Sequence, residues 1–276
     1  MEEQLEMALK RKIDVLFITN HNTLDGYRQV LEYQKNHDKL RNIKIYPAEE
    51  ITIDNQGHVL AYGITQQIKS GMTLGETLDD IKCQNAVSCA AHPFAVTNGI
   101  REMASKCNMI ESFNSNNVDL FSNVVAEIFA KYNNIPTVAG SDSHIVPTIG
   151  RCINTIESEA NLDSILQSMR HGKVRIASAN YASKDELYQH AHYILSNSKD
   201  LLLCYALEHH PRVYWALKWA LNSYSTNPYR RFWKALGSFT LYLTKRASEK
   251  VNVKGYNPHV FEQRSWRALI SMSLVP

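Results

Sequence analysis

The sequence predicts an α/β fold over its first two thirds, followed by an all-helical extension. Three observations predict this. Up to about Ala179, short β-rich runs alternate with segments of helical spacing. Several of those runs are continuously apolar, as strands buried on both faces are, so parallel β/α units are expected. From about Tyr181 onward only helical patterns remain. The chain is therefore divided into a β/α unit at 1–180 and a helical unit at 181–276.

Taken in order, Met1–Lys12 is a mixed-charge helical pattern. Strands are expected at Ile13–Ile18, Ile43–Tyr46, Val59–Ile64, Ala86–Ala91, Met109–Phe113, Thr137–Ala139 and Val174–Ser178. Helical spacing marks Thr23–His37, Val118–Tyr132 and Leu162–His171. In the extension, Lys184–Ser196 and Pro211–Tyr224 are amphipathic. Asn227-Pro228 breaks the chain before a further helix at Tyr229–Glu249.

With 276 residues, 44% hydrophobic and 21% charged, the chain has the composition of a folded globular protein. Five cysteines, an odd number with no C-x-x-C pair, argue against a disulfide framework and a cysteine zinc site, and fit a reducing compartment. No secretory signal is visible, and the longest apolar stretch, Phe232–Leu243, is short for a bilayer and carries Lys234. A cytoplasmic location is expected. After Glu208, eleven basic residues face only Glu249 and Glu262, a net of +9, which leaves −6 for the first 208 residues. All four tryptophans (Trp215, Trp219, Trp233, Trp266) lie in that basic tail. Opposite charge and different aromatic content suggest two units with different partners.

Ligand-type residues collect where strands end. Val15–Ile18 runs into Asn20-His21, Ile45–Pro47 into Glu49-Glu50, Ala86–Ala91 into His92, and Thr137–Gly140 into Asp142 and His144. In β/α barrels such positions converge on one mouth. His58 precedes its strand and reaches the same mouth if that strand runs antiparallel or if His58 sits in a loop over the rim. Imidazole and carboxylate suit Zn²⁺, Mn²⁺ or Fe²⁺ in hydrolytic centres, and Glu50 is the candidate bridging carboxylate. Each piece alone is weak: a lone histidine is usually a satisfied surface or core residue, and Ser141–His144 could be a turn or cap. Four independent strand ends together carry the expectation. His37, His171, His190, His192, His209, His210 and His259 lack that setting and are read as surface residues.

The ordered motifs T-N-H-N-T (Thr19–Thr23), P-A-E-E-I (Pro47–Ile51), G-H-V-L-A-Y-G (Gly57–Gly63), A-H-P-F (Ala91–Phe94), I-E-S-F-N (Ile110–Asn114) and G-S-D-S-H (Gly140–His144) together resemble the PHP (polymerase and histidinol phosphatase) family, over roughly Leu5 to Ser178. The resemblance implies a distorted (β/α)7 TIM-like barrel that binds up to three divalent ions (Mn, Zn or Fe) and hydrolyses phosphoesters. It matches Glu50, His58 and His92 to one metal site, Glu50 and Asp142 to a second ion, and His21 and His144 to a third. Glu50, Asp142 and His144 are the implied catalytic residues. Asn114 and Arg151 are candidate substrate contacts, with a plain surface arginine the equal alternative for Arg151.

Two departures stand out. The family's first strand, with its H-x-H pair, is not in this chain, so the barrel is expected to lack that strand and only the Glu50–His58–His92 site keeps all its protein ligands. Either the start codon is assigned too late, which is favoured, or the loss is real. In addition, Asn20 stands where the family has an acid. The function implied is hydrolysis of a phosphomonoester or of nucleic-acid ends, 5′-3′ exonuclease-like, by metal-activated water. The alternative is a catalytically impaired PHP-like module that binds nucleic acid, a membrane surface or a protein partner through its basic helices. For the tail itself three readings stay open: a packed helical cap, an interfacial helix pair on an anionic membrane, or a nucleic-acid contact.

Overall fold

The computed structural model describes residues 2–54 and 57–257. His259, Glu262, Arg264, Trp266 and Arg267 of the basic tail lie outside the described residues. The elements run α1 (Glu2–Lys10), β1 (Val15–His21), α2 (Asp25–Lys35), β2 (Lys44–Thr52), β3 (His58–Tyr62), α3 (Leu74–Cys83), β4 (Val87–Ala90), β5 (Met109–Asn114), α4 (Phe121–Tyr132), β6 (Thr137–Gly140), β7 (Cys152–Ile156), α5 (Leu162–Arg170) and β8 (Val174–Ala179). Three helices follow: α6 (Lys184–His209), α7 (Pro211–Thr226) and α8 (Arg231–Asn252). The change from alternating elements to helices alone falls between β8 and α6.

The main sheet has six strands in the order β1-β2-β3-β4-β5-β6, and it curls into a half-barrel. The β1–β2, β4–β5 and β5–β6 pairs are parallel, whereas β3 runs antiparallel to both neighbours. β7 and β8 form a separate antiparallel pair. This corrects the expectation of a closed (β/α)7 TIM-like barrel short of its first strand. Closure needs every strand to share a ladder with two neighbours. Here β7 and β8 spend their ladder on each other. Side chains join β6 to the second sheet: Asn154 Oδ1 accepts from Ala139 N and Asn154 Nδ2 donates to Ala139 O, both at 2.9 Å, and just past β6 Ser141 Oγ accepts from Cys152 N at 2.9 Å. The amide of Asn154 thus stands in for a peptide unit, at the point where the β7–β8 register shifts. Among the described residues β1 is an edge strand. β7 itself is not expected from the sequence, because C-I-N-T-I is short and polar at its centre.

Two layers of apolar side chains sandwich the sheet. On the concave side, Leu60, Cys89, Met109 and Val138 pack on Leu166 and Met169 of α5, with Phe17 and Tyr62 edge to face at 5.1 Å. Phe17, Met109 and Val138 come from the amino-terminal halves of parallel strands and Tyr62 ends the antiparallel β3, so the bottom of the half-barrel is filled and the carboxyl ends of the parallel strands remain for polar groups. Outside, Ile51, Val59, Ala90 and Ile110 pack against Ile81 of α3 and Ala130 of α4. Leu5 and Ala8 of α1, with Val30 of α2, cover Ile43 and Ile45. All five cysteines are free.

The extension is tied to the α/β unit at two points. Ser183 and Glu186 form a capping box that starts α6, and Glu186 pairs with Arg151. The end of α8 docks beside α4: Ser248 Oγ donates to Asp119 Oδ1 at 2.6 Å and Asn252 Nδ2 to Phe94 O at 3.1 Å. No helix among the described residues is long and apolar enough to cross a membrane.

Asn154→Ala leaves both backbone groups of the buried Ala139 without these partners. Urea titration should show unfolding free energy lowered by about 2 kcal/mol. A loss under about 0.5 kcal/mol would mean the side chain does not join the two sheets.

Candidate metal centre

Adjacent residues in a strand face opposite sides, so Glu49 and Glu50 separate. Glu49, fully buried behind the sheet, accepts from Ile68 N at 3.0 Å; burial raises its pKa. Glu50 faces the concave side at the carboxyl end of β2, where the parallel register sets it beside His21. The antiparallel course of β3 brings His58, at its first residue, to the same rim, opposite Thr52. His92 follows the last residues of β4.

The four side chains converge. Glu50 Oε1 lies 2.9 Å from His58 Nδ1 and 3.2 Å from His92 Nε2, while Oε2 lies 3.5 Å from His21 Nε2. The two nitrogens facing Oε1 are 3.4 Å apart. A tetrahedral ion with nitrogen ligands at ordinary distances separates them by about 3.4 Å. His21, Glu50 and His58 also form a group whose ligand atoms lie within 4.8 Å of one another. One carboxylate oxygen thus faces a pair of imidazoles and the other faces a third, which is the arrangement a bridging carboxylate requires. The donor set fits a divalent ion of the zinc, manganese or iron kind.

The electrostatics follow from burial. Desolvation would raise the Glu50 pKa, but hydrogen bonds from His58 and His92 and the nearby imidazole charges overcome it and hold the carboxyl well below the usual range. Burial likewise works against charge on His92, yet Glu50 pulls its pKa up to about 9. His21 is shifted down, chiefly by burial.

Asp142 and His144 sit past the end of β6. His144 Nδ1 lies 3.0 Å from the Asp142 carbonyl, which makes Nδ1 the protonated nitrogen and leaves Nε2 as an acceptor. The His144 ring centroid is 6.0 Å from that of His21. The structure therefore gathers all six ligand candidates, His21, Glu50, His58, His92, Asp142 and His144, along one rim. Asn20 does not join them. Its amide occupies the space that a Cβ on Gly26 would need, so the replacement of an acid there lies across β1 from His21.

The two substrate-contact candidates have other partners. Asn114 is 1% exposed; its Nδ2 donates to Glu111 Oε2 at 2.9 Å and to Asp142 Oδ2 at 3.3 Å, so it orients carboxylates. Arg151 is paired with Glu186 of α6.

Two residues given no site role in the sequence belong to this rim. Glu111 is buried and accepts from His92 N at 2.7 Å. It holds His92 at φ 27°, in the left-handed region that non-glycine residues avoid; Asp142, at φ 45°, lies there too. Strain of this kind gathers at functional sites. Burial, with Asp142 nearby, raises the Glu111 pKa to about 7. Gly140 makes room for it, since a Cβ there would lie 1.5 Å from Glu111 Oε1. A carboxylate inside the apolar run Met109–Phe113 was the signal available. The other is His190 of α6, read above as a surface residue. Its ring stacks on His144 at 4.3 Å and 25°, and its Nε2 is buried. No local pattern marks it, because a helix from the extension carries it in.

Residues 121–174, from α4 to the first residue of β8, match the family model described as PHP-associated, which supports a PHP-domain family protein. Two uncharacterized proteins of Methanocaldococcus jannaschii are similar. MJ1587 is 28% identical over 91 residues, 33% of this chain and 50% of the relative. MJ0417 is 28% identical over 138 residues, 46% of this chain and 57% of the relative. The chain spans about half the length of the curated relatives it matches. Among solved structures, PsfC from Pseudomonas syringae PB-5123 superposes with a TM-score of 0.53 at 17% identity, covering 71% of this chain and 88% of that one. That likeness concerns the chain path alone.

A divalent ion needs neutral imidazoles, whereas His92 without one holds its proton to about pH 9. Calorimetry in two buffers of different ionisation enthalpy should therefore show about one proton released per ion bound near neutral pH, with affinity rising as pH rises. Binding without proton release would place the ion away from His92.

Proposed function

We propose that this chain is a divalent-metal-dependent phosphoesterase acting on a phosphomonoester or on a nucleic-acid end. The observation that carries the reading is the two-sided Glu50 carboxylate, with His58 and His92 at one oxygen and His21 at the other. An ion bound there supplies Lewis acidity to a phosphoester and to water. The family match supports the same reading, since it includes Asp142 and His144.

The chain's own residues divide the work. Glu50, His58 and His92 would hold one ion. Asp142, steadied by Asn114, would hold a second with Glu50. His21 and His144, whose rings face one another across the rim, would hold a third. The His144 Nδ1 proton is committed to a backbone carbonyl, so the Nε2 lone pair is the one open to an ion. Glu111 acts through His92: its carboxylate fixes the backbone that presents the imidazole.

The test is metal content and turnover of the purified chain. With Mn²⁺ or Zn²⁺, p-nitrophenyl phosphate, bis(p-nitrophenyl) phosphate and a 5′-phosphorylated oligonucleotide separate monoester, diester and nucleic-acid-end activity. Glu50→Ala should lose bound metal and fall to background. Glu111→Gln should weaken metal affinity about 10–100-fold while the chain stays folded. A wild-type chain that binds no ion and turns over none of the three would overturn the reading.

A further inference from the structure

The three helices of the extension carry a surface that the rim does not use. Their fixed points are the first two turns of α6 and the last turns of α8. Between them, α6 meets α8 through Tyr188, whose hydroxyl lies 2.8 Å from Ser238 Oγ, and α7 meets α8 through Tyr224 and Trp233. The side chains left outside are large and apolar. Trp215 and Trp219, one turn apart on α7, are 72% and 71% exposed. On α8, Phe232, Leu236, Phe239 and Tyr242 recur at i, i+4, i+7 and i+10, the spacing of one helix face, and all four are exposed. On α6, Leu201 and Tyr205 repeat the pattern one turn apart. A helix in a globular protein turns such a stripe inward. Here α8 buries only its last turns, with Leu243, Ala247 and Val251.

Cations frame this surface. Arg231 and Lys245 stand at the two ends of the α8 stripe. Lys218 Nζ lies 5.3 Å over the Trp215 ring, and Arg212 is one turn before Trp215. From 211 to 257 there are nine basic residues and one acid, Glu249. Large apolar side chains exposed in this number mark an interaction site. Its charge selects among occupants. A second copy would bring a like charge against it. Nucleic acid would engage the cations and the flat rings, but gains little from exposed leucines. Indole rings between aliphatic side chains and flanking cations match the interface of an anionic bilayer, where the rings sit at headgroup level and the cations meet lipid phosphate.

We propose that α6, α7 and α8 form a peripheral docking surface for an anionic lipid bilayer, with Trp215, Trp219, Phe232 and Phe239 entering the interface. The surface is separate from the metal centre, and it stands or falls independently of the phosphoesterase reading.

The experiment is co-sedimentation of the full chain with vesicles of phosphatidylcholine alone and of phosphatidylcholine with phosphatidylglycerol. Sedimentation with the anionic vesicles only, a blue shift of tryptophan emission on binding and weakening by added salt are expected. The double variant Trp215→Ser, Trp219→Ser should bind at least about 10-fold more weakly with an unchanged circular dichroism spectrum, since both rings are exposed. Arg231→Glu with Lys245→Glu should lose the preference for anionic lipid while keeping the tryptophans. A chain that stays in the supernatant with anionic vesicles overturns the proposal. So does a double variant that binds as the wild type does. If the tryptophans instead govern self-association or oligonucleotide binding and vesicles are ignored, the surface belongs to that other occupant.

Discussion

The rim is organised around one buried carboxylate. Glu50 is almost wholly withdrawn from water, and such a group stays ionised only if positive charge or hydrogen-bond donors replace the solvent. His58, His92 and His21 fill that role in the structure described here, and a divalent ion is the stronger partner for the same atoms. The strand arrangement serves this constraint. The parallel β1–β2 register sets His21 beside Glu50, and the reversed β3 returns His58 to the same end. Were β3 parallel to its neighbours, its first residue would lie at the filled bottom of the half-barrel.

A second layer keeps these groups in place. Glu111 holds the backbone of His92, Asn114 ties Glu111 to Asp142, and Gly140 leaves the space Glu111 needs. The left-handed conformations of His92 and Asp142 are tolerated because this network over-determines them. The extension reaches the same rim from outside. Glu186 and His190 stand one turn apart on α6, the first pairing with Arg151 and the second stacking on His144. The helix that exposes Leu201 and Tyr205 further along therefore also closes one flank of the polar cleft.

Much of this was legible in the sequence. Apolar runs that stop at His21, Glu50, His92 and Asp142 mark strand ends, because a buried strand tolerates polar groups only where it emerges. The helices α2, α4, α5 and α7 follow from 3.6-residue spacing, within a few residues at their ends. β7 escaped because Asn154 interrupts its apolar run, and that asparagine helps join the two sheets by a side-chain ladder. His190 escaped because the residue that gives it meaning, His144, is 46 positions away and meets it only through helix docking.

The sequence by itself determined the alternation of strands and helices, the change to helices near residue 180, the charge contrast of the two parts and the identity of the ligand-type residues at the strand ends. Those properties reside in local periodicity and composition, which need no partner. Only the tertiary structure decided that the sheet stays an open half-barrel, that Glu50 turns to the rim while Glu49 turns to the core, and that the α8 stripe faces outward. Closure, sidedness and exposure depend on which surfaces meet, and no local pattern contains that.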